Sequence, residues 1–306
     1  MVEQLSGEPT PRDLKYAVLH LQAGTEVLLK ARLQQAHWTL IVQDLPAELR
    51  KTKKGPLRER VPIGSFASCG IDETLTRLRE VVGLDLDSKH LAAVAKLGQT
   101  RNALQHYGLT QSAPAVEAQA ATVLDFLLTF LHEHLLPHLD APERVQVEAA
   151  MDDVRHRLGT ITKLIQTRMN GLKEALAPCT DATVLCPDCG MPALVAGVPL
   201  SCRFCYRSWT DAECAAADYV YAEMVRKKAV DPLDNEEPQL YWCPTCDTPT
   251  IFDVERDGWL MYLCMSCAVV LDTLIWCRKG CGSLIDPKTN DFDICPACMA
   301  RLQETT

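Results

Sequence analysis

The chain has 306 residues, of which 47% are hydrophobic and 23% are charged. This composition is typical of a soluble globular chain of roughly two domains, and it excludes fibrous and wholly disordered proteins. Unbroken apolar runs stay far below the roughly 20 residues of a membrane-spanning helix, and the first residues lack the pattern of a secretory signal. We therefore expect a cytoplasmic protein that makes no membrane contact.

The cysteine content and the net charge of the sequence both change near Pro178. Of the 15 cysteines, 14 lie in residues 179–306. Residues 1–178 hold 21 basic and 21 acidic side chains, so the net charge of −9 belongs entirely to residues 179–306. The shift predicts two domains, residues 1–178 and residues 179–306.

The amino-terminal domain has the apolar spacing of helices. Leu14, Ala17 and Leu21 recur at helical intervals and predict a long amphipathic helix over residues 11–42. Further helices are predicted over residues 72–82, 88–107, 113–136 and 142–176. No segment alternates like a sheet for long, so the domain is predicted to be an all-α helical bundle.

The candidate reactive residues of this domain form a polar cluster near the end of the 88–107 helix. Asn102 and His106 are four residues apart and share a helical face, and Arg101 lies beside that face. Histidine exchanges a proton near neutral pH, and a guanidinium holds phosphate oxygens as negative charge builds. With the 2′-hydroxyl of RNA as nucleophile, such a cluster needs no catalytic metal. A surface pair or a helix cap is the alternative interpretation.

The segment RNALQH, residues 101–106, resembles the R-x4-6-H motif of the HEPN superfamily, including the polar residue directly after the arginine. The first helix, LKYAVLHLQAGTEVLLKARL, is similar to the first helix of HEPN proteins, and the resemblance covers about residues 12–140. It implies a HEPN-like bundle that dimerises so that two motifs share one cleft. HEPN nucleases of this kind are metal-independent endoribonucleases, often toxins or effectors of antiviral defence against phage.

The resemblance also implies residue roles. Arg101 would stabilise the phosphate, His106 would be the general acid and base, and Asn102 would orient His106 or the scissile group. One departure is Tyr107, which follows His106 directly, whereas some HEPN toxins carry a modifiable tyrosine two residues after the histidine. Inactivation by that route is therefore not expected here.

A basic stretch at residues 50–60 holds six lysines and arginines around Gly55 and Pro56. It is interpreted either as a guide for RNA towards the cleft or as a solvated loop without a function of its own.

Twelve cysteines of residues 179–306 fall into six close pairs. Paired thiolates at this spacing grip one tetrahedral ion, and consecutive pairs predict three four-cysteine zinc ribbons with small β-strands and three structural zinc ions. A disulfide framework is disfavoured in a cytoplasmic chain. The pairs are Cys186/Cys189, Cys202/Cys205, Cys243/Cys246, Cys264/Cys267, Cys277/Cys281 and Cys295/Cys298.

Spacing leaves the pairing open, because Cys264/Cys267 could also join Cys277/Cys281. The remaining Cys69, Cys179 and Cys214 are expected to be small buried side chains rather than reactive thiols. Between the first and second ribbons, a helix is predicted over about residues 211–228 with Asp211 as its cap, followed by an acidic linker.

Bound zinc would make the carboxy-terminal domain more acidic. Each four-thiolate zinc site adds about −2, which takes the domain from −9 to roughly −15. Such a surface repels phosphate, so RNA contact is expected in the amino-terminal domain. The ribbons are expected either to contact or regulate a protein partner or to give structural support. The alternative to a ribonuclease is a non-catalytic HEPN dimerisation scaffold whose ribbons dock proteins.

Overall fold

The computed structural model describes residues 1–51, 66–107, 111–227 and 239–304. It divides into two compact units, Met1–Arg168 and Met169–Thr306, called here the amino-terminal and carboxy-terminal units. Most of the basic stretch at residues 50–60 and most of the acidic linker lie outside the described residues.

The amino-terminal unit is helical, as the apolar spacing predicts. Its longest helix, α2, begins at a reciprocal cap between Thr10 and Asp13, with Pro11 in the first turn. The helices up to the carboxy-terminal unit are Val2–Leu5 (α1), Pro11–Ala36 (α2), Leu45–Lys51 (α3), Ile71–Glu80 (α4), Ser88–Tyr107 (α5), Ala113–Phe130 (α6), Ala141–Leu158 (α7) and Thr162–Leu176 (α8).

The core of this unit forms where α2 packs against α4, α5 and α6. Leu21 and Leu29 of α2 and Phe130 of α6 are almost completely buried. Burial of each such side chain contributes about 1.5–3 kcal/mol to folding. The α2 helix thus supports one face of α5, the helix that carries the polar cluster.

Two predicted helices are shorter than expected. The first ends at Ala36 instead of residue 42, because His37 is extended and a separate 3₁₀ turn, Trp38–Ile41, follows. The helix predicted over residues 142–176 is two helices, α7 and α8. The break falls at Gly159, whose missing side chain lowers the helix propensity there.

One helical stretch of the described chain, Ala113–His138, is long and apolar enough by length and composition to cross a membrane. Polar residues interrupt its apolar sequence, so it contains no long unbroken apolar run. Of its most apolar window, 56% is buried inside the protein. A core helix has this combination of apolar composition and burial.

The carboxy-terminal unit contains small antiparallel sheets, in the orders β1-β2-β3, β4-β5-β6 and β7-β8. The predicted helix is α9, capped by Asp211 as expected; the last helix, α10, was not predicted. The elements are Thr183–Leu185 (β1), Pro192–Val195 (β2), Ser201–Cys202 (β3), Ala212–Arg226 (α9), Ile251–Arg256 (β4), Trp259–Cys264 (β5), Val270–Leu271 (β6), Ile275–Trp276 (β7), Leu284–Ile285 (β8) and Pro296–Glu304 (α10).

The first two sheets contact each other directly. Arg256, at the end of β4, donates hydrogen bonds to the carbonyl oxygens of Thr180 and Thr183 at 2.8 and 3.0 Å. The backbone N–H of Gly197 donates to the carbonyl of Met265 at 3.0 Å. These bonds fix the first sheet against the second within the unit.

Candidate functional site

The described chain brings twelve cysteines into three groups of four. Within each group the four sulfur atoms all lie within 4.8 Å of one another, so each group could hold a metal ion. The interleaved pairing of Cys264/Cys267 with Cys277/Cys281 does not occur. The groups are Cys186, Cys189, Cys202 and Cys205; Cys243, Cys246, Cys264 and Cys267; and Cys277, Cys281, Cys295 and Cys298.

Strand register explains the second group. Strands β4 and β5 form a hairpin in which Ile251 lies opposite Cys264. On its other side Ile251 pairs with Tyr241, two residues before Cys243. The register therefore brings Cys243 and Cys264 together at one end of the sheet.

The turns that hold the thiols have a common backbone geometry. After the second cysteine of a pair, φ is positive at Gly190 (71°), Tyr206 (59°), Asp247 (54°) and Ala268 (60°). In the first of these turns, Gly190 N donates to the carbonyl oxygen of Cys186 at 2.8 Å. Positive φ, which glycine adopts without strain, is thus adopted here by other residue types as well, at a cost of about 1–2 kcal/mol each.

The spacing of the sulfur atoms fits a tetrahedral ion. Four sulfurs bound at about 2.3 Å to one ion lie about 3.8 Å apart. The measured separations are 3.8 Å for Cys186–Cys205, 3.7 Å for Cys189–Cys202, 3.8 Å for Cys243–Cys267, 3.6 Å for Cys246–Cys264 and 3.5 Å for Cys281–Cys295.

The three groups differ in exposure. All four cysteines of the first group are buried, whereas Cys267 of the second and Cys281 of the third are exposed. Hydrogen bonds with Ser283 lower the pKa of Cys281 to about 6. Thiolate is the metal-binding form of cysteine, so this low pKa suits a ligand.

The three other cysteines have different environments. Cys69 is buried, as expected. The expectation of burial is wrong for Cys214, which is exposed, and Cys179 is partly exposed. The hydrogen bond from Cys214 to Asp211 raises the pKa of the thiol, which disfavours the reactive thiolate.

The polar cluster lies in the last two turns of α5. Leu97 and Leu104 of this helix are buried. Arg101 is half-buried, and its Nη1 donates to Oδ1 of Asn102 at 3.1 Å. Asn102 and His106 are exposed.

A cavity of about 500 Å³ lies among α2, α4 and α5, and Arg101 and Asn102 line it. His106 does not belong to the described residues that line this cavity. Sequence reasoning missed four further polar residues of the lining, namely Gln22, Glu26, Asp72 and Gln99. Gln22 and Glu26 are four positions apart on α2, and this spacing was the available signal.

Two of these lining residues define the polarity of the cavity. Oε1 of Gln22 is buried and accepts no hydrogen bond from the part of the chain that the structure describes. Glu26 forms an ion pair with Lys30. The cavity therefore offers a guanidinium, two carboxylates and amide groups to a polar ligand.

Comparisons with models of protein families, with curated proteins and with solved structures give no match to this chain.

Proposed function

We propose that this chain is a metal-independent endoribonuclease of the HEPN type that acts as a homodimer, with a biological role as a toxin or antiviral effector. The observation that carries the proposal is the placement of Arg101, Asn102 and His106. All three lie in the last two turns of one helix, with Arg101 and Asn102 on a polar cavity and His106 exposed. The resemblance of RNALQH to the HEPN motif supports the same assignment.

The chemistry uses the 2′-hydroxyl of RNA as the nucleophile. It attacks the adjacent phosphate while one histidine takes its proton, and the 5′-oxygen of the next nucleotide leaves as it receives a proton. The products are a 2′,3′-cyclic phosphate and a 5′-hydroxyl end. The guanidinium of Arg101 stabilises the negative charge on the phosphate oxygens during this step.

The helix geometry supports the proposed dimer. Five positions along an α-helix rotate a side chain by about 140°, so Arg101 and His106 leave the helix in different directions. Asn102 and His106 differ by only about 40° and share a face. One chain therefore does not bring both Arg101 and His106 to the same phosphate. A second copy that packs against this face supplies the missing group.

In the carboxy-terminal unit we infer three structural zinc ions. The ligand set of four thiolates and the tetrahedral sulfur spacing suit zinc. Zinc stabilises segments that are too small to fold alone, by on the order of 10 kcal/mol per site. Because the unit is acidic, its proposed further role is protein contact or regulation rather than RNA binding.

The test is RNA cleavage by the full-length protein in EDTA, after confirming that the protein keeps its zinc under those conditions. Wild type should cleave total RNA and leave cyclic phosphate ends. His106→Ala and Arg101→Ala should each reduce the rate by about 100-fold or more. His156→Ala, an exposed histidine on α7, is the matched control and should cleave like wild type.

Two results would overturn the assignment. Equal cleavage by wild type and His106→Ala would show that the activity comes from elsewhere. A folded dimer that cleaves no RNA would favour the non-catalytic scaffold.

A further inference from the structure

A groove of about 540 Å³ crosses the carboxy-terminal unit between its first two sheets. Strands β1 and β4 form two of its walls, and both are edge strands of their sheets. Helix α9 forms a third side through Tyr219 and Glu223. The volume lies within the range of about 300–1,000 Å³ that is usual for binding pockets.

Strand β4 meets the groove along its edge. Phe252 and Val254, from the buried face of the strand, line the groove together with Asp253 and Glu255 from its exposed face. A groove over one face of the sheet would be lined by only one of these two sets, because successive side chains alternate between the faces. The presence of both sets places the groove along the edge of the strand.

Within the residues that the structure describes, the outer edge of β4 pairs at Ile251 only. Ile251 exchanges two backbone hydrogen bonds with Tyr241, at 2.9 and 3.0 Å. Since backbone groups of alternate residues point to the same side of a strand, those of Asp253 and Glu255 point away from β5. In the described chain these groups form no further ladder beyond Tyr241.

The charge of the groove favours a cationic partner. Asp253, Glu255 and Asp257 line it and form no ion pair with a residue that the structure describes. Two cations also line the groove, namely Lys227 and Arg256, and Arg256 is held by two backbone carbonyls. With Glu223, the acidic side chains of the lining outnumber the basic ones four to two. The surrounding residues 179–306 carry the whole net charge of −9. Complementary charge of this kind raises association rates and selects partners by sign.

We propose that this groove binds an extended, lysine- or arginine-rich segment of a partner protein, which adds to β4 as a new edge strand. Backbone hydrogen bonds to Asp253 and Glu255 supply affinity, and the three carboxylates select basic side chains. Alternate side chains of the segment enter the groove beside Tyr219. The inference deepens the proposed partner-binding role of the carboxy-terminal unit and is independent of RNA cleavage.

The test uses full-length, zinc-loaded protein and a fluorescein-labelled peptide of alternating lysine and valine, with binding followed by anisotropy. The wild type should bind this peptide. A peptide with glutamate in place of lysine should bind about tenfold or more weakly, because the groove repels it. A peptide N-methylated at alternate residues keeps its charge but lacks the donors for strand pairing, and it should also bind about tenfold or more weakly.

The protein variants distinguish the effect of charges in the groove from the effect of the net charge of the whole unit. The pair Asp253→Lys with Glu255→Lys should weaken binding of the basic peptide by about tenfold or more. The pair Glu174→Lys with Asp291→Lys makes the same charge change at exposed positions outside the groove and should have little effect. Zinc content and thermal unfolding confirm that each variant is folded.

Three outcomes would overturn the proposal. These are equal binding by the two variant pairs, equal binding of the N-methylated and parent peptides, and no binding of the basic peptide. RNA cleavage is measured on the same samples, so a failure of peptide binding is distinguished from a failure of the proposed ribonuclease activity.

Discussion

Arg168 Nη1 donates a hydrogen bond to Asp125 Oδ1 at 2.6 Å and thereby joins α8 to α6. The Arg168 side chain is only 3% exposed, so Asp125 is the counter-charge of a buried guanidinium. Thr129 accepts a second, longer bond at 3.3 Å, and His90 lies 3.7 Å from the other carboxylate oxygen. Removing one partner of a buried ion pair leaves the other charge without compensation.

Replacing Asp125 should therefore destabilise the amino-terminal unit. We expect Asp125→Ala to lower the free energy of unfolding by about 3–5 kcal/mol, because the ion pair between Asp125 and the buried Arg168 is lost. Urea unfolding followed by helical circular dichroism measures the change. Asp153→Ala removes an exposed carboxylate of α7 and should change stability by less than about 0.5 kcal/mol. Similar losses in both variants would argue against a special role for the pair.

The same pair predicts a pH dependence. Burial alone would raise the pKa of Asp125, but the nearby imidazole of His90 and the charge of Arg168 hold it below its usual value of 3.8. The folded state thus binds this proton more weakly than the unfolded state does. The contribution to stability is complete above the usual pKa and is lost as pH falls through the folded-state pKa. The difference in unfolding free energy between wild type and Asp125→Asn should narrow below about pH 4. A difference that grows in acid would refute this explanation.

Mixed dimers test the shared cleft of the proposed nuclease. Arg101→Ala and His106→Ala homodimers should both be inactive. In a heterodimer of the two variants, the shared cleft still contains an intact arginine from one chain and an intact histidine from the other. It should regain cleavage well above the sum of the homodimers, measured on differently tagged, co-purified chains. If no activity returns, while wild type paired with either variant stays active, the two residues act within one chain.

Exposure predicts the order of metal loss. Full-length protein should contain one zinc ion in each of the three cysteine groups, measured by native mass spectrometry. A chelator should remove the ions of the second and third groups first, since Cys267 and Cys281 are exposed, and the ion of the first group last, since its four cysteines are buried. Cys281→Ser should reduce the amplitude of the fast phase, and Cys186→Ser should abolish the slow one. Three equal rates would contradict the link between exposure and exchange.

The metal groups were predictable from sequence because their ligands are close in the chain and chemically distinctive. The consecutive pairs predicted from short spacing are the pairs that form each group of four in the structure. The choice between consecutive and interleaved pairing required the register of β4 and β5. Register depends on long-range pairing that local spacing does not encode.

The amino-terminal unit shows a different limit. Apolar periodicity located its helices but continued through His37 and Gly159, where local backbone conformation ends a helix without disturbing the pattern. The motif was visible because Arg101, Asn102 and His106 are adjacent on one helix. Glu26 and Asp72 reach the same cavity from other helices, and only tertiary packing brings them there.

The hydrogen bonds from Arg256 to the carbonyl oxygens of Thr180 and Thr183 make the stability of the first sheet depend on the second. The bond from Gly197 to Met265 adds a second tie between them. When two folding events share contacts, an ion that orders one sheet lowers the free energy needed to order its neighbour. We therefore expect metal uptake by the first two cysteine groups to be linked with positive cooperativity, and we expect a chain cut between the first two sheets to give fragments that each bind zinc more weakly than the intact unit.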